Sequence, residues 1–344
     1  MDINIEKTYF GAANGFSGFR SNFNKIFEPR LLDKLFIIKG GPGTGKSTLM
    51  RRIKENYSAN FDVTTILCSS DPNSLDGLII SKNGITVGIA DGTAPHTLDS
   101  QYPGAVEEII NLGDGFDFDK LRGNRSYILS LSESKKRYYN SAYASLNIAG
   151  SIYDYIKMHF LNYRSYDEAE RLVCDSSSDE HEFCSKEEVS SLLISSFSKN
   201  GYKRLPATLK NKREITIKGD GISEYILLSK IRILLNEKNV SYQLFPSAFS
   251  EDIPDLIETE SNVYTVSKNS DYTLDSTAYM PKTCEYDRLK NAYRCFIENS
   301  QFSLIKASES HFKLEDIYSS AISFGRNEEK YIDIVEKINR IFDK

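Results

Sequence analysis

Two stretches of this chain share one pattern: a short apolar run, a break rich in glycine, and apolar residues that return at helical spacing. In residues 34–53 (KLFIIKGGPGTGKSTLMRRI), Leu35 to Ile38 read as a buried strand, and Leu49, Met50, Ile53 and Tyr57 fall on one helical face. Residues 214–231 (EITIKGDGISEYILLSKI) can be laid on them with one residue deleted inside the break. Ile38-Lys39-Gly40 then meets Ile217-Lys218-Gly219, Gly43 meets Gly221, Leu49 meets Leu227 and Ile53 meets Ile231. Upstream, Asn14-Gly15-Phe16 stands where Asn200-Gly201-Tyr202 stands in the second stretch; downstream, residues 63–67 and 240–244 both read as the next strand. Ile152-Tyr153 and Ile317-Tyr318 give a weaker echo in late helices. The shared order of these pieces predicts an internal duplication, with chance similarity of two strand–turn–helix units as the alternative.

The first break carries chemistry. Gly40, Gly45, Lys46 and Ser47 match G-x-x-x-x-G-K-[ST], and the strand before and amphipathic helix after are the context a phosphate-binding loop requires. Glycines at 40, 41, 43 and 45 admit backbone conformations closed to other residues and let N–H groups approach phosphate oxygens. The helix starting near Lys46 adds a positive dipole end of about half a charge. Lys46 is expected to reach the β- and γ-phosphates, the Ser47 hydroxyl to sit on Mg²⁺, and Thr48 to support the helix start. The expected nucleotide-binding set is Gly40, Gly41, Gly43, Thr44, Gly45, Lys46, Ser47 and Thr48.

Residues 62–68 read as the second strand, leading into Ser69-Ser70-Asp71-Pro72. Residues 85–90 (ITVGIA) end at Asp91, where a Walker B aspartate belongs: the carboxyl end of a buried strand, facing the metal beside Ser47. The alternative is an aspartate capping the D-G-T-A-P-H turn. Gly92 follows in place of a glutamate, so the neighbouring base that activates water in many ATPases is missing. Asp71 is a candidate to take a proton, as the carboxylate after strand two does in some P-loop kinases; a turn-forming Asp-Pro is the other reading. The expected catalytic set is therefore Lys46, Asp91 and Asp71. His96 is weighed between orienting water or phosphate and a structural role, and Arg122 and Arg125 between charge stabilisation and surface solvation.

The second break has lost these features. On the alignment Lys46 becomes Glu224 and Ser47 becomes Tyr225, and Asp220 adds a carboxylate. A charge pair 4 Å apart is worth roughly 4 kcal/mol at an effective dielectric near 20, so exchanging lysine for glutamate reverses a large term. The pattern predicts an α/β fold of two tandem P-loop NTPase-like domains, each a mostly parallel sheet flanked by helices with a helical extension. The boundaries expected are 1–175, an acidic linker at 176–188, and 189–344. Residues 174–188 (CDSSSDEHEFCSKEE) are acidic, serine-rich and nearly without apolar residues, which reads as a solvated connector rather than a binding tail. Residues 116–172 read as mostly helical, with one long segment from about Ser126 to Tyr163, and 286–342 look similar; their aromatic residues at helical spacing read as packing rather than a base-stacking platform.

With GGPGTGKST at 40–48, SSDP followed by LDG at 69–77, DGTAPH at 91–96 and PGAVEEIINLGD at 103–114, the chain resembles a family of bacterial P-loop ATPase-like proteins with two P-loop-type domains in tandem. The resemblance covers the first half well and the second more loosely. It implies ATP binding and ATPase activity. Relatives of this kind keep a usable-looking second loop, and this chain departs from them at Asp220, Glu224 and Tyr225.

Composition adds boundaries. With 344 residues, 40% hydrophobic and 26% charged, the chain has the make-up of a soluble protein of two ordinary domains. No apolar run approaches the roughly eighteen residues of a membrane span, and Asp2 and Glu6 break any signal-peptide pattern, so a cytoplasmic location and no membrane partner are expected. Five cysteines without close pairing read as reduced thiols; Cys174, His181 and Cys184 have no common metal-site spacing. A net charge of −5 gives nucleic-acid binding no support beyond the local run Lys203, Arg204, Lys210, Lys212 and Arg213. The expectation is a protein that binds Mg-ATP and hydrolyses it in its N-terminal half, with a small-molecule or nucleotide kinase and a nucleotide-dependent switch or scaffold as alternatives.

Overall fold

The computed structural model describes residues 7–161, 166–174, 187–206, 212–266 and 273–343. The N-terminal half runs β1 (Lys7–Phe10), a hairpin of β2 (Ala12–Gly15) and β3 (Gly18–Ser21), α1 (Phe23–Ile26), β4 (Lys34–Lys39), α2 (Lys46–Tyr57), β5 (Asp62–Leu67), β6 (Leu75–Lys82), β7 (Ile85–Asp91), β8 (Glu107–Asn111), α3 (Phe118–Gly123), α4 (Arg125–Phe160) and α5 (Asp167–Cys174). The C-terminal half follows the same plan: β9 (Glu187–Val189), a hairpin of β10 (Ser195–Ser198) and β11 (Gly201–Arg204), β12 (Arg213–Lys218), α6 (Ser223–Glu237), β13 (Tyr242–Pro246), β14 (Pro254–Glu258), β15 (Asn262–Val266), β16 (Thr273–Asp275), α7 (Cys284–Ser319) and α8 (Gly325–Phe342).

The two large sheets have one topology. Strand order is β1-β5-β6-β7-β4-β8 in the first and β9-β13-β14-β15-β12-β16 in the second. In both, the third strand of that order is antiparallel to its two neighbours and every other pairing is parallel. The molecule is thus a mixed α/β protein with two six-stranded, mostly parallel sheets flanked by helices. The continuous apolar run of β4 is explained by its place between two parallel neighbours, with Phe36 and Ile38 facing one core and Leu35 and Ile37 another.

Two details differ from the sequence reading. Gly18 and Gly201 each open the second strand of a hairpin with left-handed φ values of 101° and 80°, so Gly18, rather than Gly15, is the counterpart of Gly201. Asn14 is no turn residue: buried, it donates to the Phe197 carbonyl (2.8 Å) and accepts from the Tyr143 hydroxyl (3.0 Å), tying the two hairpins and α4 together. The loop after β12 spans 219–222 against 40–45 after β4, and the buried face of α6, with Leu227, Leu228, Ile231 and Leu235, keeps the aligned register with Leu49, Met50, Ile53 and Tyr57 of α2, so Glu224 stands opposite Lys46 and Tyr225 opposite Ser47. Most of the acidic connector, including His181 and Cys184, lies outside the described residues, while Cys174 ends α5; Glu187 and Glu188 belong to β9, where Glu187 meets Arg232 at 2.5 Å.

Packing is exchanged between the halves. Helix α8 buries Ile334 and Ile338 against Phe36, Ile38, Leu49, Met50 and Ile53 of the first half, and Tyr57 donates to Asn339 at 2.8 Å. Reciprocally, α5 buries Ala169 and Val173 against Ile215, Leu227 and Ile231 of the second half. Between these exchanged ends α4 and α7 lie antiparallel, with small residues at their seam: Ala142 and Ala149 on one side, Ser300, Ser303 and Ala307 on the other. Among the described residues no helix is long and apolar enough to cross a membrane.

Because α8 completes a core whose other members lie far back in the chain, Ile338→Ala should lower the urea unfolding free energy by about 2–4 kcal/mol, with the loss reported by a probe placed on α2. Unchanged stability of α2 would show that the exchanged helix is only draped on the surface.

Candidate functional site

The glycine-rich loop leaves β4 at Lys39 and turns into α2 through two left-handed residues, Gly43 (φ 68°) and Gly45 (φ 86°). Side chains are excluded there for a second reason. A Cβ on Gly43 would stand 2.6 Å from the Glu315 carbonyl oxygen, and one on Gly45 would stand 3.1 Å from Asn327 Nδ2. Asn327 itself donates to the Thr44 carbonyl (2.9 Å), so the junction of α7 and α8 forms one wall of the loop. Helix α2 has no acidic residue in its first turn, and its first N–H groups have no intrahelical acceptor. That end of the helix therefore presents backbone N–H donors and the positive end of its dipole, an arrangement that can receive an anion.

Lys46 folds back over this cradle. Its Nζ donates to the carbonyls of Gly40 (2.9 Å) and Gly41 (3.0 Å) and lies 3.6 Å from Asp91 Oδ2. Asp91 ends β7, the strand hydrogen-bonded alongside β4, with Ile38 paired to it in register. Its Oδ1 accepts from the Thr93 backbone N–H (2.8 Å) and from the Thr93 hydroxyl. Burial pushes the Asp91 carboxyl above the usual aspartate range, against the pull of Lys46. The Ser47 hydroxyl accepts from the Leu75 N–H at 2.9 Å.

These groups face a cavity of about 860 Å³, within the roughly 300–1,000 Å³ usual for small-molecule sites. Of the residues expected to bind nucleotide, Gly40, Gly43, Thr44, Gly45, Lys46, Ser47 and Thr48 line it; Gly41 lies just behind, its carbonyl held by Lys46. Asp91 and Asp71 line the same space, so all three candidate catalytic residues are brought together. Asp71 serves its turn as well, accepting from the Asn73 N–H (3.1 Å), and its other oxygen lies 3.9 Å from Lys199. His96 is buried, stacked on Phe23 at 4.3 Å between ring centroids, with Nε2 3.1 Å from Asp76. Arg122 and Arg125 are exposed and stand outside the cavity lining.

Much of the cavity wall outside the loop was not singled out from sequence. It is built by Lys135, Tyr139 and Tyr143 of α4 and by His311 and Glu315 of α7, with Lys199 from the β10–β11 turn. One signal was present: Lys135, Tyr139 and Tyr143 recur every four positions and so share a helical face.

The loop after β12 has the opposite electrostatics. Glu224 turns its carboxylate back onto the loop and accepts the Gly221 N–H at 3.0 and 3.1 Å, and burial raises its pKa. Asp220 is fixed from α7 by the Tyr286 hydroxyl (3.0 Å) and Lys290 (3.4 Å). Comparison with protein-family models, curated proteins and solved structures returns no match, so the chemistry of the site rests on its own geometry.

Gly43→Ala should separate the two constraints on the loop. Gly84 is also left-handed (φ 82°) but faces open space, so Gly84→Ala carries only backbone strain of about 1–2 kcal/mol. Gly43→Ala should destabilise by more than that in a denaturant titration, the excess measuring contact with Glu315; equal losses would mean that α7 does not press on the loop.

Proposed function

We propose that the N-terminal half binds a magnesium–nucleoside triphosphate, with ATP as the working ligand, and hydrolyses it, while the C-terminal half contributes no second nucleotide site. The observation that carries this reading is the convergence of a left-handed glycine cradle, an uncompensated helix N-terminus, Lys46 and Asp91 on one cavity. Loop residues 40–48 hold the phosphates through backbone N–H groups, and Lys46 exchanges its carbonyl partners for phosphate oxygens. The donor set fits Mg²⁺: a buried carboxylate, Asp91, and a hydroxyl, Ser47, both hard oxygen ligands on the rim of the cradle. When bound, the metal supplies charge neutralisation across the phosphates. Thr93, by donating to Asp91, holds that carboxylate in orientation. No membrane partner is part of this reading, and a cytoplasmic location is inferred from the composition alone.

A second reading has its own observation. Asp71 lines the cavity with Lys46, and the space continues past the loop along α4 and α7. That is the arrangement of a kinase, in which Asp71 takes the proton of an acceptor hydroxyl as the phosphoryl group moves.

Calorimetric titration with ATP and Mg²⁺ tests the division between the halves. Lys46→Ala should abolish binding and Glu224→Ala should leave it within twofold of the parent; equal losses would refute it. Incubating the protein with ATP, GTP and Mg²⁺, with and without a metabolite mixture, then separates the reactions. Hydrolysis releases phosphate from the protein alone, whereas a kinase gives a phosphorylated product only when the acceptor is present.

A further inference from the structure

Lys135 is the feature of the cavity that the reading above does not use. The other members of its helical face have partners: Tyr139 OH lies 3.2 Å from Ser70 Oγ, and Tyr143 donates to Asn14 at 3.0 Å. Of the other cations lining the cavity, Lys136 is exposed to solvent, and Lys46 and Lys199 are committed. Lys46 bonds two carbonyls and faces Asp91, and Lys199 lies 3.9 Å from Asp71 and over the Phe312 ring at 4.1 Å. Lys135 lines the same cavity, half-buried, and makes no hydrogen bond or ion pair among the described residues. Burial holds its ammonium below the usual lysine range; Glu315 opposes that shift and Lys46 adds to it. Glu315, whose carbonyl abuts Gly43 and whose carboxylate lies 3.5 Å from His311, lines the cavity together with Lys135 and Lys46.

An unpaired ammonium in such a place is costly, and the cost is recovered when an anion arrives. We propose that Lys135 reaches across from α4 to contact the terminal phosphate of a bound nucleoside triphosphate, making the site selective for triphosphate over diphosphate. This rests on the nucleotide reading. The loop grips phosphates common to both nucleotides, whereas Lys135 stands on α4, outside the loop, and on this proposal meets only the phosphate that the triphosphate adds.

The test is titration of the full chain, with Mg²⁺, against a nonhydrolysable ATP analogue and against ADP. Lys135→Met keeps most of the side-chain length and removes the charge; Arg137→Met, at an exposed position outside the cavity lining, is the control. The parent should prefer the triphosphate. Lys135→Met should weaken analogue binding by about tenfold or more and leave ADP within twofold, Lys135→Arg should restore most of the preference, and Arg137→Met should change neither. Melting of Lys135→Met at or above the parent temperature shows that the fold is intact. An unchanged triphosphate-to-diphosphate ratio in Lys135→Met, or equal loss of both ligands, overturns the assignment of Lys135 alone. A parent protein that binds neither nucleotide overturns the nucleotide reading and this inference with it.

Discussion

The shape of the 40–48 loop depends on a contact from the other end of the chain. On one side the loop grows from β4; on the other, the Glu315 carbonyl leaves no room for a Cβ at Gly43, and Asn327 ties down the Thr44 carbonyl. Left-handed backbone at Gly43 and Gly45 is therefore fixed by tertiary packing as well as permitted by residue type. The same helices carry the exchange of cores. Since α8 buries Ile334 and Ile338 in the first half while α5 buries Ala169 and Val173 in the second, neither half has a complete core without the other. Anything that loosens the α4–α7 seam is transmitted to the wall over the loop.

The two halves repeat one topology and oppose one another in charge. At the start of α2 the nearest ionic groups are Lys46 and, behind it, Asp91; at the start of α6 they are Glu224 and Asp220. The second loop satisfies its own donor: Gly221 N–H gives to Glu224, so the protein's own carboxylate stands where an external anion would have to bind. An incoming phosphate would first have to displace that carboxylate and then remain beside it, and both steps are unfavourable for like charges. Asp220, fastened by Tyr286 and Lys290, makes the loop a brace for α7 instead.

The local units were legible in sequence because they are written in short-range periodicity. The apolar run of β4, the face of α2 with Leu49, Met50, Ile53 and Tyr57, the strand ending at Asp91 and the long helix α4 all stand where their patterns place them. Periodicity reports that a face is buried, not what buries it. The apolar stripe of α8 reads the same whether it covers its own sheet or the other one, so the exchange left no local trace. The hairpin correspondence shifted because Asn-Gly is a turn signal, yet Asn14 has a buried role set by Phe197 and Tyr143. Lys135, Glu315 and Asn327 were missed for the same reason: each sits on an ordinary helix and acquires meaning only through which helix lies opposite.

The charge inventory of the cavity bears on what can enter it. Lys46, Lys135, Lys136 and Lys199 line it together with Asp71, Asp76, Asp91 and Glu315, so its walls carry no net charge when the histidines are neutral. A triphosphate brought in alone would add several negative charges to a balanced, partly desolvated space, and the half-buried Lys135 and the exposed Lys136, which have no ion-pair partner among the described residues, offset only part of them. The remaining imbalance falls beside Asp91, whose ionised form burial already disfavours. A divalent cation held by Asp91 and Ser47 would ease both difficulties at once, by neutralising phosphate oxygens and by favouring the carboxylate as the anion. On the nucleotide reading, the electrostatics of the cavity therefore favour entry of metal and ligand as a unit.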